Sequence, residues 1–291
     1  MFVVTLLVNP AGPGLDRAAV GALRNAWGGG AVRWLSPGVA AEFSLDHMPE
    51  NRWQVWADLQ ARGIDMVVQA EANRRKRMLL ADMDSTMIGQ ECIDELADLA
   101  GVGAHVAAIT ARAMNGELDF EAALTERVGL LAGLPETVIA DVLATRISYT
   151  PGGHNLITTM RAHGGYAALV SGGFTAFTAA VAAHLGFDEH RANTLLVRDG
   201  HLTGQVARPI LGRQAKVDAL DAITARLGLT AADVMAVGDG ANDLGMLHRA
   251  GAGVALHAKP SVAAQCDLRI NHGDLTALLY LQGYAITDFA T

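Results

Sequence analysis

The sequence predicts an α/β protein in two parts: a Rossmann-like parallel sheet core with a helical cap insertion over residues 73–291, preceded by a small α+β ferredoxin-like domain over residues 1–72. Three observations predict it. From residue 77 onward the short apolar runs RMLLA, YAALV, VMAVG, AGVAL and DLRI alternate with amphipathic helical stretches, the pattern of a parallel sheet covered on both faces. Between the first two runs, residues 89–150 read as nearly continuous helix, too long for one crossover and therefore a cap over the edge of the sheet. All four tryptophans (Trp27, Trp34, Trp53 and Trp56) precede the basic run NRRKR at 73–77, where the composition changes.

Taken in order, apolar periodicity gives the first part a strand at 2–8, a helix at 16–27, strands at 31–35 and 40–43, a helix at 51–62 and a strand at 64–69. That order is the one expected of a ferredoxin-like sandwich. The run NRRKR reads as an exposed linker. In the second part LLVRDGHLTG is an inserted hairpin that turns at Asp199 and Gly200. No internal repeat or low-complexity segment interrupts the pattern.

Composition bounds the function. A chain of 291 residues with 51% hydrophobic residues can bury a sizeable core, and a formal charge of −8 carries no footprint for nucleic acid, whose binders gather Lys and Arg on one face. The opening MFVVTLLVNP is apolar but short, without a basic leader, and meets Pro and Gly at once, so it fits neither a signal peptide nor a membrane span. A cytoplasmic location is expected, with no membrane partner. Cys92 and Cys266 are too few for a disulfide framework and lack zinc-ligand spacing, so both are expected to be reduced. The ten histidines are scattered and form no HExxH pattern.

In parallel sheets ligands bind beyond the carboxyl ends of the strands. RMLLA leads into Asp82 and Asp84, YAALV into Ser171, Gly172 and Gly173, and VMAVG into Asp239, Asn242 and Asp243. Any one of these aspartates alone would be an ordinary turn or N-cap residue. Four together are harder to dismiss. Two unit charges about 4 Å apart repel by roughly 4 kcal/mol at an effective dielectric near 20, so the cluster calls for a cation, and hard oxygen ligands on a rigid scaffold suit Mg²⁺.

DMDST, VSGG, a lone lysine and GDGAND, in that order and spacing, resemble the haloacid dehalogenase superfamily of aspartate-nucleophile phosphatases. DMDSTMIGQECIDELA, NGELDFEAALTERVGLL and VGDGANDLGMLHRAGAGVALHAKP extend the resemblance to its phosphoserine phosphatase family, over residues 77–284. The N-terminal part resembles the ACT-like domain of longer bacterial members, and whether it binds an effector, forms a homodimer or only stabilises the enzyme stays open.

The resemblance implies hydrolysis of the small molecule L-phosphoserine, the last step of serine biosynthesis. Asp82 would attack phosphorus, and Asp84 would donate a proton to the leaving oxygen and later accept one from water. Mg²⁺ would be held by the Asp82 side chain, the Asp84 main-chain carbonyl and the Asp239 side chain, with Asp243 at or just beyond the ion. Ser171 and the Gly172 N–H would bind phosphate oxygens, and Asn242 would bond phosphate or position Lys216. A phosphotransferase or phosphatase of the same superfamily acting on another small phosphomonoester through the same intermediate, or a non-catalytic amino-acid sensor, are the alternatives.

Two cations stand out on apolar stripes. Only three of the 22 basic residues are lysines, yet Lys216 shares a helical face with Leu220, Ile223 and Leu227. Arg127 interrupts the face formed by Phe120, Leu124, Val128 and Leu131, and a half-buried guanidinium wants a carboxylate partner. Snorkelling would explain either without function. By resemblance Lys216 meets the phosphate charge, Glu91 and Arg127 hold the substrate's ammonium and carboxylate, and Met114 and Phe120 close over the substrate.

Overall fold

The computed structural model describes residues 1–114 and 117–290, and the side chain of Met114 lies outside the described set. Its first 70 residues form β1 (Phe2–Leu7), β2 (Arg33–Ser36), β3 (Ala40–Leu45) and β4 (Asp65–Ala70), with helices Arg17–Ala26 and Arg52–Gln60 after β1 and β3. The sheet order is β2-β3-β1-β4 and every pairing is antiparallel, as a ferredoxin-like sandwich requires. Alternation along β1 explains why the sheet has two apolar faces: Val4 and Leu6 pack with Phe43, Leu59 and Met66, whereas Leu7 faces a core shared with Leu278, Tyr280 and Tyr284.

The second sheet comprises β5 (Met78–Ala81), β6 (Tyr166–Phe174), β7 (Glu189–Asn193), β10 (Val234–Gly238), β11 (Ala252–Leu256) and β12 (Leu268–Ile270); β8 (Leu195–Arg198) and β9 (His201–Val206) form the separate expected hairpin. The order is β12-β11-β10-β5-β6-β7, all parallel, which puts the Rossmann-like core beyond doubt. Four helices, Cys92–Leu99, Gly103–Met114, Phe120–Gly129 and Val138–Thr145, occupy the predicted cap stretch. Among the described residues no helix is long and apolar enough to cross a membrane.

Two expectations need correction. The edge strand β7 was not foreseen, because EHRAN is polar and gives no apolar run to detect. The run NRRKR is only in part the expected exposed linker: Asn73, Arg75 and Arg77 are exposed, but Arg74 is half-buried and Lys76 buried. Arg74 forms a two-point contact with the buried Glu42 of β3, at 2.6 and 3.1 Å, Arg75 lies over the Tyr284 ring, and Lys76 is buried with its Nζ donating to the Ala232 carbonyl at 2.8 Å. Arg74 ties the run to the first sheet while Arg75 and Lys76 hold it to the second part, and charge alone could not distinguish that from a solvated linker.

The same junction holds a fully buried acid. Asp65 accepts from the backbone N–H of Asn271, His272 and Gly273 at 2.9, 2.9 and 2.8 Å, so one side chain of the first part saturates the loop that follows β12. Asp65→Ala would strand three N–H groups at a cost of about 3 kcal/mol or more. Thermal unfolding should then show a melting temperature lower by roughly 6–12 °C; an unchanged value would mean that water replaces the carboxylate.

Candidate active site

The registers Ala81↔Val237 and Ala81↔Leu169 bring the carboxyl ends of β5, β6 and β10 level, so the residues just past them meet. A cavity of about 360 Å³ lies there, bordered by Asp82, Asp84, Ser171, Gly172, Asp239 and Asn242 from the sheet and by Glu91, Phe120 and Arg127 from the cap. The side chain of Met114, the remaining predicted cap contact, is outside the described residues.

Asp82 is buried at the floor. Its N–H continues the ladder to the Val237 carbonyl at 3.0 Å, and its Oδ1 accepts from the Met83 N–H at 2.8 Å and lies 2.7 Å from Lys216 Nζ. Lys216, only 2% exposed, also donates to Asp243 Oδ1 at 2.5 Å. The helix Arg213–Leu227 thus points its one lysine inward, as the stripe predicts, and snorkelling is excluded. Asp243 is fully buried and its second oxygen accepts from the N–H groups of Asp239 and Gly240 at 3.2 and 3.0 Å. A Cβ on Gly238 would sit 2.4 Å from the Asp243 carboxyl carbon, which is why GDG keeps a glycine there.

Asp84 is half-buried, and its Oδ1 accepts from the Cys92 N–H at 3.1 Å. Between the two, Thr86 donates to Asp239 Oδ1 at 3.1 Å. Ser85 takes a left-handed φ of 54° and donates to Glu91 Oε1 at 2.8 Å, so the turn after the paired aspartates fixes the acid at the cap's entrance. Glu91 is the N-cap of helix Cys92–Leu99 and makes no capping bond.

Ser171 and Gly172 lie within β6, where pairing with β7 breaks between Val170 and Phe174. Ser171 Oγ accepts from the Gly173 N–H at 2.9 Å. A Cβ on Gly173 would stand 2.7 Å from Asp84 Oδ2, and one on Gly172 would stand 3.1 Å from Phe120, so both glycines are needed for close approach. Asn193, buried at the end of β7, donates to the Gly172 carbonyl at 2.8 Å and accepts from the Leu211 N–H at 2.7 Å. It ties the glycine loop to the segment that enters the lysine helix. Sequence reasoning missed it along with its strand.

Charge crowding sets the protonation states. Burial pushes the Asp84 carboxyl up to about 7, with Glu91 adding to the shift. Burial and then Asp243 raise Asp239 to about 6. Asp82 is also held well above the usual range by burial and Asp243, with Lys216 pulling the other way. Burial would lower the Lys216 ammonium, but Asp82 and Asp243 override it and the net shift is upward. In the cap, burial lowers the Arg127 guanidinium against the pull of Asp94, Glu91 and Asp84. No residue on the cavity wall was expected to be Asp94, Thr110 or Lys259, yet all three line it. Lys259 follows β11 in sequence, and its place beside Asp239 depends on the sheet order β11-β10-β5.

Asp82, Asp239 and Asp243 each offer an oxygen within 4.8 Å of the others, a hard donor set that fits a divalent cation such as Mg²⁺. Both Asp243 oxygens accept bonds from protein groups, whereas Asp82 and Asp239 each have one oxygen, Oδ2, without a protein donor among the described residues. Aspartates that would otherwise be raised toward neutrality need that positive charge in order to ionise.

A family profile described as haloacid dehalogenase-like hydrolase matches residues 79–248. A phosphoserine phosphatase of Streptomyces coelicolor is 41% identical over 251 residues, covering 85% of this chain; the chain spans 61% of that relative's length. Among solved structures, a haloacid dehalogenase family hydrolase from Salmonella enterica superposes over 97% of this chain and 98% of its own with a TM-score of 0.86 at 30% identity. A phospho-aspartyl intermediate analogue of phosphoserine phosphatase covers 71% of this chain and 98% of its own, with a TM-score of 0.66 at 40% identity.

Proposed function

Since the chain belongs to the haloacid dehalogenase-like hydrolase family, we propose that it is a phosphoserine phosphatase, converting L-phosphoserine to L-serine and inorganic phosphate through an aspartyl-phosphate on Asp82. The observation that carries the reading is the single cavity in which the ends of β5 and β10 present Asp82, Asp84 and Asp239, and β6 presents Ser171 and Gly172, to Glu91 and Arg127 of the cap.

In the first displacement an oxygen of Asp82 bonds phosphorus as the bond to the serine oxygen breaks, and Asp84 gives that oxygen its proton. A group held up to about 7 is present in both forms near neutrality, so the same residue then takes a proton from the water that cleaves the aspartyl-phosphate. Lys216, 2.7 Å from Asp82, stabilises the nucleophile as an anion and offsets its repulsion of an incoming phosphate. Ser171 and the Gly172 N–H orient phosphate oxygens on the side opposite Asp239. Mg²⁺, held by Asp82, Asp239 and the Asp84 carbonyl, would neutralise charge on the transferring phosphoryl group.

Arg127 and Glu91 account for selectivity. The guanidinium matches the substrate's carboxylate and the acid its ammonium. Arg127→Ala should raise KM for L-phosphoserine by roughly 10–100-fold, the worth of one charged hydrogen bond, and leave hydrolysis of p-nitrophenyl phosphate within a few-fold. Equal losses on both substrates would remove Arg127 from recognition. Phosphate release from L-phosphoserine, phosphothreonine and phosphoglycolate with and without Mg²⁺ tests the reading itself, and poor activity on the first would refute it.

Metal binding has a readout apart from turnover. Mg²⁺ at about 100 times its dissociation constant should stabilise the fold by about 2.7 kcal/mol, raising the melting temperature by roughly 5–10 °C. Asp239→Asn should erase the increase, and retention of the full shift would move the ion elsewhere. A cytoplasmic setting suits both the proposed pathway step and the two free cysteines.

A further inference from the structure

The stretch that carries Ser171 and Gly172 is a bulge. Val170 of β6 pairs with Arg191 of β7 and Phe174 with Asn193, so β6 runs through Ser171, Gly172 and Gly173 where β7 runs through Ala192 alone. A bulge takes backbone groups out of the ladder and re-aims side chains, and all three of these residues line the catalytic cavity. The second glycine is forced, because a Cβ on Gly173 would stand 2.7 Å from Asp84 Oδ2 and 3.1 Å from Ser171 Oγ. Two glycines in a row, outside the ladder, leave the peptide unit between them free to turn over at little steric cost.

Asn193 holds that peptide. Its Oδ1 accepts from the Leu211 N–H at 2.7 Å and its Nδ2 donates to the Leu211 carbonyl at 3.2 Å, which clamps the side chain and directs the other N–H to the Gly172 carbonyl at 2.8 Å. Two carbonyls facing Nδ2 and an N–H facing Oδ1 call for an amide, since neither a carboxylate nor a hydroxyl supplies two donors and an acceptor. At 2% exposure the side chain is shielded from competing water. In a trans peptide the carbonyl and the N–H point in opposite directions. Drawing the Gly172 carbonyl toward Asn193 therefore turns the Gly173 N–H the other way, where it donates to Ser171 Oγ at 2.9 Å. That bond takes one lone pair of Oγ and leaves the hydroxyl hydrogen, which has no protein acceptor among the described residues, for a ligand.

We propose that Asn193 is a positioning residue for phosphate binding: it locks the Gly172–Gly173 peptide so that Ser171 offers its hydroxyl to a phosphate oxygen. This role rests on the reading of Ser171 as a phosphate-binding group. Asn193 should then matter only while Ser171 is present, a dependence that a side chain merely supporting the fold would not show.

A double-mutant cycle over Asn193 and Ser171 in the full-length protein tests this with two readouts, kcat/KM for p-nitrophenyl phosphate and affinity for inorganic phosphate by calorimetry, both at saturating Mg²⁺. Ser171→Ala should lower kcat/KM by about 10²–10³-fold, as for a lost oxyanion donor, and Asn193→Ala by roughly 10–100-fold, as for a misplaced one. The double variant should match Ser171→Ala within about twofold in both readouts. Losses that multiply, or wild-type activity and phosphate affinity in Asn193→Ala, would overturn the proposal. If alanine prevents folding, Asn193→Asp at alkaline pH takes its place in the cycle, because the carboxylate still accepts from the Leu211 N–H and cannot donate to Gly172, and the same outcomes decide. A wild type that binds inorganic phosphate but ignores L-phosphoserine refutes the proposed substrate alone and leaves the cycle readable. A wild type that binds no inorganic phosphate overturns both.

Discussion

Asp82→Asn is expected to abolish turnover, by a factor on the order of 10⁵–10⁶ as for other removed nucleophiles, while leaving the protein folded. Asparagine has the same shape, so its Oδ1 can still accept from the Met83 N–H and from Lys216. What disappears is the anionic oxygen that bonds phosphorus. Lys216 keeps Asp243 at 2.5 Å, so its charge stays paired and the melting temperature should move by only a few degrees. Acid quench of the wild type during turnover, followed by peptide mass spectrometry, should find phosphate on the peptide containing Asp82 and none in the variant. Phosphate on another residue, or near-normal turnover in the variant, would end the covalent reading.

Lys216→Met should harm fold and chemistry together, and the two losses have different signatures. Methionine fills a similar volume, so packing is nearly conserved. The variant, however, leaves Asp82 and Asp243 as two buried carboxylates without their shared cation, and breaking such a pair costs about 3–5 kcal/mol. A drop in melting temperature of roughly 10 °C is expected. The sign of its pH dependence follows from Asp82, whose carboxyl is already raised in the folded state by burial and Asp243. A carboxyl raised on folding binds its proton more tightly in the native state, so native stability is lost as pH rises through that value and regained as it falls. The deficit should therefore shrink as pH falls from neutrality toward the ordinary carboxylate range. Turnover at saturating Mg²⁺ should still fall by about 10²–10³-fold, because a preorganised charge at the reacting oxygen is gone. A deficit that instead grew on acidification would mean that Lys216, and not the carboxylates, governs the site's protonation.

How much of this could be read from the chain depended on whether the physics was local. Lys216 and Arg127 were visible because a cation on an apolar helical stripe contradicts its neighbours, and a conflict between pattern and residue type is a signal in itself. The glycines of VSGG and GDG were visible as turn residues, although only the approach of Phe120, Asp84 and Asp243 shows why a side chain is not tolerated there. Asn193 carried no such signal. It sits on a polar edge strand and acts through a carbonyl 21 residues away, a contact set by sheet order alone. The basic run at 73–77 misled for the opposite reason: its charges look solvated in sequence, and their partners Glu42, Tyr284 and Ala232 lie 32, 209 and 156 residues from Arg74, Arg75 and Lys76.

By itself the sequence determined the two-part α/β architecture, the polar residues at three strand ends and the cations Lys216 and Arg127 on apolar helical stripes, since periodicity, turn chemistry and residue type act over a few neighbours. Only the tertiary structure decided that Lys216 bridges Asp82 and Asp243, that Asp243 spends both oxygens on anchoring, and that Asn193 reaches the Gly172 carbonyl. Those outcomes rest on burial and on contacts between distant segments, whose energies depend on distances that no local pattern encodes.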